Sequence, residues 1–556
     1  MKREMSERPP LRRPALLIIA VSLGAFVAGG VALERLDYFD TARDTLQGQA
    51  GPAGLPDEGV GGDAVARAIE RYGPGSAFGR IPEALPSTLL VPADLRGGPF
   101  PVLSIAADDD HLNDPDTGIM QNMRATGPDW ERLATVSLWE DGELVVGSRA
   151  GLRIHGDSTR YRGDPSFRLL FRPSYGANAM SGGRLLGPDA APAAAVVVHV
   201  VRWRGHYPNI FTFEIAQRLG LPSADFRPAT VFLNGESRGI YVLTERVMPD
   251  GWGRTYFGDD NFFMYVYKGE TKSPSRAAHA ELEEWVRQNS PLTMATAAER
   301  IDVENLTRHL LTVMFTFTTD WAQGAALLDR NDPAARWFWL HWDMDQSFYK
   351  RGSVDVEPWE QPFLELITLR APRDELGAYG ILTDEVHANR HRQDMRRHIF
   401  IQLLRDNDYR RYFVRTVTDA LNHQLTPAYL QGLLDRYSDL EESPGVYSRV
   451  DLGAYFRRRP DFIRAEMTRH FGIGSPLAVR IGTSPGTALV VDGYEARGPY
   501  EGHYFPGQRL TAELAGNRPA VAWTVNGRRI EGARLQLDID APTTIEPVVA
   551  GGEEAP

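Results

Sequence analysis

The sequence predicts an α+β fold. A β-rich N-terminal half is followed by a helical C-terminal half, with a transmembrane helix ahead of them and a small β-sandwich behind. Three observations carry this reading. Short apolar runs broken by Gly, Pro and Asp begin at about Leu85. Segments of 3.6-residue periodicity fill the chain from about Ser275 to Gly472. Alternating strands with Gly and Asn-Gly turns resume at Ser475. At 556 residues the chain exceeds one average domain.

The first 14 residues, "MKREMSERPPLRRP", hold five Lys or Arg, and Ala15 to Leu33 is apolar without a charge. Such a run at about 1.5 Å per residue nearly spans a hydrocarbon core of about 30 Å. Basic residues before it and acidic "ERLDYFD" after it place residues 1–14 in the cytoplasm and the bulk of the chain outside. The run is longer than a usual signal core and no A-x-A site ends it cleanly, so an uncleaved single-pass anchor is expected over a cleaved signal peptide. Residues 34–84, with "QGQAGPAGLPDEGVGGD", have little to bury and read as a flexible stalk. Residues 85–474 then form the main domain, and 475–556 the β-sandwich and its tail.

Composition narrows the function. A formal charge of −12 argues against a nucleic-acid binder, which carries a basic face. The chain has no cysteine, which excludes disulfides, thiolate metal sites and cysteine nucleophiles. Aromatic content, with 11 Trp, 20 Tyr and 24 Phe, is ample for a sizeable core.

Within the β-rich half, "FPVLSIAA", "ATVSLWE", "GELVVGSRAGLRIHGDS", "FRLLFRPSYG" and "AAAVVVHVVRW" read as strands, and "IFTFEIAQRLG" as a helix stopped by Gly220. "ATVFLNGESRGIYVLTERV" reads as a hairpin turning at Asn234-Gly235. In the helical half, "AELEEWVRQ", "VENLTRHLLTVMFTFTTD", "RRHIFIQLLRDND", "YRRYFVRTVTDALNHQL", "TPAYLQGLLDRYSDLE" and "RPDFIRAEMTRHFG" carry helical periodicity.

One β-rich insert, "RWFWLHWDMDQSFYK", interrupts these helices. It reads as a strand buried on both faces, yet it leads into Asp343 and Asp345. If the strand runs through Asp345, the two carboxylates share a face and repel unless a cation lies between them. Mg²⁺ or Mn²⁺ suits such hard oxygen donors. Upstream, Asp320 is read as ending a long apolar helix, at the unfavourable end of its dipole. It is either a solvated helix-end acid or a catalytic base. "ADDDHLND" (Ala107 to Asp114) lacks calcium-loop spacing and reads as a solvated acidic loop.

Five blocks appear in order: "GLRIHGDSTRYRGDPSFRLLFRPSYG", "VFLNGESRGIYVLTERV", "NFFMYVYKGE", "TTDWAQG" and "WFWLHWDMDQSFY". Together they resemble the spore-coat protein H (CotH) kinase-like family, over roughly Leu85 to Gly472. The resemblance implies an atypical protein-kinase-like two-part domain that binds ATP and Mg²⁺ or Mn²⁺. It places Asp320 as catalytic base and Asp343 as metal ligand, with Asp345 assisting. It makes Lys268 the candidate phosphate-contacting cation and Arg168 the second, with Glu245 placed to pair with such a cation. Ala325 stands where the family usually carries Asn, a second metal ligand, and Asp157 where it often shows Asn or Gly.

Three functions compete. The first is a membrane-anchored, extracytoplasmic kinase that phosphorylates a secreted protein or envelope polymer. The second is a degenerate kinase-like scaffold for surface assembly. The third is a metal-dependent glycosyltransferase, because D-x-D also holds nucleotide-sugar diphosphates. The third ranks last, because no β/α nucleotide-binding run precedes the motif.

Overall fold

Asp141-Gly142 and Asn234-Gly235 set the first strands, because both pairs adopt the positive φ that two-residue hairpin turns require. The computed structural model describes residues 99–156, 160, 164–201, 206–267, 271–318, 324–342, 344, 346–348, 356–368, 394–442, 450–515 and 520–549. The stretch Ala15–Leu33 and the stalk lie outside these residues. No helix among the described residues is long and apolar enough to cross a membrane.

The chain divides into two units, one drawn from Met1–His199 with Ala229–Arg238, the other from Val200–Pro228 with Gly239–Pro556. The mixed α+β class stands, but the units interleave along the chain where two successive halves were expected. Helix α1 (His206–Arg218) lies within the second unit.

In the first unit, β1 (Val102–Ala107), β2 (Arg132–Glu140), β3 (Glu143–His155), β4 (Ser166–Leu170) and β5 (Ala195–Val200) pair antiparallel in sequence order. β6 (Phe226–Leu233) runs parallel to β1, with Val102 opposite Thr230. Asn234 extends that ladder past the turn. Its Oδ1 accepts from Ala107 N at 2.8 Å and its Nδ2 donates to Ala107 O at 2.8 Å. Leu103, Ile105, Val136, Leu152, Phe167, Leu169 and Val196 are buried there.

One polar cluster shares this interior. Glu131, fully buried, accepts from Arg153 Nε at 2.8 Å and Nη2 at 2.7 Å, from Arg172 Nη2 at 3.1 Å and from the Tyr175 hydroxyl. Gly151 leaves room for it, because a Cβ there would fall 2.2 Å from Glu131 Oε1.

β7 (Glu236–Glu245) continues into the second unit, where β8 (Phe262–Val266), β9 (Ala325–Asp329) and β10 (Phe338–Leu340) form an antiparallel sheet in the order β10-β9-β8. The helices start where the sequence offers caps. The Asp302 side chain caps α2 (Val303–Thr316), Asp394 caps α3 (Met395–Leu403), Asp406 caps α4 (Asn407–Asp419), and Asp451 caps α5 (Leu452–Phe471). α5 begins eight residues ahead of Pro460, which it contains, and it ends at Gly472 with φ 64°.

Beyond it, residues 477–549 form a five-stranded sheet, β14-β11-β19-β16-β17, and a four-stranded sheet, β13-β12-β15-β18, around a shared core that includes Val479, Leu489, Leu510, Trp523 and Ile545. In that pair β11 is Leu477–Ile481, β12 Ala488–Val491, β13 Tyr494–Arg497, β14 Tyr500–Tyr504, β15 Gln508–Leu514, β16 Ala520–Val525, β17 Arg528–Glu531, β18 Arg534–Ile539 and β19 Thr543–Val549. This sandwich packs against the helical part. Asn422 exchanges hydrogen bonds with the His503 backbone at 3.0 and 3.1 Å, and Thr418 donates to Gln508 Oε1 at 3.1 Å.

Candidate functional site

The sheet β10-β9-β8 is held from behind by one side chain of α2. Asn305 accepts from Trp339 N at 2.7 Å and donates to Trp339 O at 3.1 Å. Register then brings three chain ends together. Val266, the last residue of β8, lies opposite Ala325, the first of β9, which lies opposite Leu340, the last of β10. Tyr267 N continues the ladder to Gly324 O at 3.0 Å. Gly324 has φ 107°, and a Cβ there would come 3.1 Å from Leu340 O. A second pairing closes the far side, where Thr318 bridges Ser347 and Phe348 N donates to Thr316 O at 2.7 Å.

Of the six residues expected to form the site, Lys268, Asp320, Asp343 and Asp345 lie outside the described residues. The residues just paired flank them in sequence: Tyr267 precedes Lys268, Thr318 and Gly324 bracket Asp320, and Leu340 and Ser347 bracket Asp343 and Asp345. Two expectations change here. β10 ends at Leu340 and does not run on through Asp345, so the argument that alternation puts both carboxylates on one face no longer applies. His341 instead donates its backbone N–H to Pro222 O at 3.1 Å. The apolar helix likewise stops at Thr316, four residues before Asp320, because Phe348 N takes the Thr316 carbonyl.

Phe317 and Phe348, at φ 37° and 66°, both occupy the left-handed region. The other described non-glycine residues there are Asp or Asn, which tolerate it. Strain of this kind on bulky residues gathers at functional sites.

Arg168 and Glu245 are described, and they belong to different units. Arg168 is buried within β4, not facing water, and its Nη2 lies 3.1 Å from His155 Nδ1. His155 in turn packs edge-to-face on His199 at 5.4 Å. Glu245 closes β7, nearly buried. Burial first, and the Asp225 carboxylate second, push its carboxyl up to about 8, against a hydrogen bond from the Asp225 backbone that holds it down. These described surroundings keep the proton on this side chain at neutral pH.

Sequence reading missed the polar layer under the sheet edge. Arg396 is fully buried and ion-paired to Asp394 at 2.5 Å. Its Nη1 donates to His309 Nε2 at 2.9 Å, and its guanidinium lies 4.6 Å from the Tyr267 ring centroid. The same Nη1 is 3.5 Å from where a Gly324 Cβ would stand. Burial would lower the Arg396 pKa, but Asp394 raises it overall. Burial, with Arg396 next, drives His309 well below its ordinary value and His341 to about 3. The Tyr267 hydroxyl accepts from Trp339 Nε1 at 2.8 Å. The capping pattern at Asp394 is visible in sequence, but its tie to Tyr267 and His309 spans long chain distances.

Among the described residues one group has the donors to hold a metal ion, Asp419, His423 and Asp492, far along the chain from the "WDMD" block. None of the curated proteins matches this chain. The CotH kinase protein family matches residues 152–445, more than half of the sequence and all five motif blocks save the first residue. The chain belongs to the CotH kinase protein family.

Proposed function

We propose that this protein is a kinase-like phosphotransferase that uses ATP with Mg²⁺ or Mn²⁺. We further propose that Ala15–Leu33 anchors it with the main domain outside the membrane, where it acts on a secreted protein or envelope polymer. The observation that carries the reading is the bracketing of two acid-bearing segments. Thr318 with Ser347 at one end, and Ala325 with Leu340 at the other, tie the segment of Asp320 to that of Asp343 and Asp345. The Val266 end of β8, which leads to Lys268, joins the same edge. Phosphoryl transfer needs this combination of a base, a cation and a carboxylate set within one constellation.

The donor chemistry fits the group. Asp343 and Asp345 supply hard carboxylate oxygens, which suit Mg²⁺ or Mn²⁺ and not a softer ion. Bound there, the metal would offset phosphate charge. Asp320 accepts the proton of the acceptor hydroxyl. Lys268 neutralises phosphate oxygens, and Glu245 gives up its proton when paired with that cation.

A second reading has its own support. Ala325, at the place of the family's usual Asn, is fully buried in β9 between Val266 and Leu340, so no second metal ligand stands there. A scaffold that binds nucleotide without transferring phosphate would tolerate this.

Calorimetric titration with Mg²⁺ and ATP, beside phosphate transfer to a mixed protein and polymer acceptor, separates the two readings. Asp343→Asn should lose metal-dependent nucleotide binding while melting as the parent does. Asp320→Asn should bind and not transfer. Binding without transfer in the parent supports the scaffold, and a response to UDP-sugars alone supports the glycosyltransferase. Unchanged metal-dependent binding in Asp343→Asn overturns the site.

A further inference from the structure

α4 ends at Asp419 but the chain stays helical beyond it. It continues as a π-helical turn, Ala420–Gln424, which carries His423. Such turns are rare and recur at functional sites. The His423 ring lies between two tyrosines of the sandwich, 4.6 Å from Tyr494 at 6° and 5.4 Å from Tyr500 at 13°. Its side chain is 3% exposed, and its Nε2 faces Asp492 Oδ2 at 3.5 Å, too long for a well-formed hydrogen bond. Asp492 stands in the turn between β12 and β13, at φ 55°. One ligand atom each from Asp419, His423 and Asp492 lies within 4.8 Å of the others. Donors on one tetrahedral ion at about 2.0–2.2 Å stand about 3.3–3.6 Å apart, which His423 Nε2 and Asp492 Oδ2 already do, and closure draws the wider pairs in by at most about 1.5 Å.

The cation now among these groups is Arg415. Its Nε is 2.8 Å from Asp419 Oδ1 and its Nη2 is 3.1 Å from Asp492 Oδ1. Asp492 also accepts from Tyr504 OH at 2.7 Å and from Thr511 N at 2.8 Å. One guanidinium against two carboxylates leaves a net negative charge, whereas a divalent ion balances both. Arg415 is 29% exposed and has a route to solvent.

We propose that Asp419, His423 and Asp492 form a binding site for a divalent transition-metal ion of the Zn²⁺ type, which displaces Arg415 and cross-links α4 to the sandwich. The imidazole donor selects such an ion over Mg²⁺. The site is separate from the "WDMD" block and does not depend on phosphotransfer.

The test uses tag-free full chain, stripped with chelator and titrated calorimetrically with Zn²⁺, with melting curves alongside. The parent should take up one Zn²⁺ per chain and melt higher with it. Arg415→Gln removes the competitor and should bind about tenfold tighter, the scale of one partly buried ion pair. His423→Gln should abolish uptake in either background while keeping the metal-free melting curve. Asp343→Asn should leave Zn²⁺ uptake unchanged. If Arg415→Gln does not fold, the parent against His423→Gln decides alone. Absence of stoichiometric uptake, or uptake that survives His423→Gln, overturns the proposal and leaves the cluster as an ion pair.

Discussion

Replacing Glu245 with Gln tests whether the end of β7 carries a protonated carboxyl. In the folded chain burial and Asp225 raise this group from 4.5 to about 8. The unfolded chain releases the proton near 4.5, so between those values unfolding releases a proton and stability falls as pH rises. The contribution is present in full below about pH 4.5 and gone by about pH 8. At about 1.36 kcal/mol per pKa unit, the full swing is on the order of 4–5 kcal/mol. The side chain is 6% exposed, so solvent screening takes little from this.

Gln keeps an oxygen for the Asp225 backbone and cannot ionise. The variant should therefore match the parent at pH 4 and exceed it at pH 8.5 by several kcal/mol, with a flatter slope between. Urea denaturation at half-unit pH steps measures this. Identical slopes in the two proteins would sink the argument, and so would a loss of stability in the variant at high pH. The second result would mean that Glu245 is already ionised and paired, as the resemblance to the family implies.

Three further outcomes follow from the geometry. Gly151→Ala drives a methyl into Glu131, which Arg153, Arg172 and Tyr175 hold in place, and should cost about 3–5 kcal/mol by unpairing buried charge; a chemical melt within about 1 kcal/mol of the parent would refute the packing. Asn234→Ala should lose about 2–3 kcal/mol, from two hydrogen bonds and a left-handed turn, whereas Asn234→Gly should recover only the turn, about 1 kcal/mol. A chain ended at Gly474 removes the sandwich backbone that pairs with Asn422 and the Gln508 contact of Thr418, and should melt below the full chain by calorimetry; equal melting would show that the sandwich is a free module.

Sequence legibility followed the range of the forces involved. The β6–β7 hairpin was readable because Asn-Gly supplies its own turn conformation and the flanking alternation sets the faces. The helices were readable because their apolar stripes are local. The ends of α2 and β10 were not. In "TFTTD" the apolar pattern runs on, but the helix gives its Thr316 carbonyl to Phe348, more than thirty residues away in sequence. In "WFWLHWD" the aromatic run suggested a long strand, yet only Phe338 to Leu340 find a partner in β9, because β9 begins at Ala325. Each terminus is fixed by a partner that no local window contains.

The same reasoning explains why the acids of the motif were visible and their support was not. Arg396 lies buried near the ends of β8 and β9, paired with Asp394, which keeps it charged. A single buried guanidinium beside two imidazoles is tenable only if both stay neutral. His309 accepts from Arg396 through Nε2, which puts its own proton on Nδ1, and burial keeps His341 uncharged far below neutral pH. The layer under the sheet therefore holds one fixed ion pair, Arg396 with Asp394, near Gly324 and Tyr267.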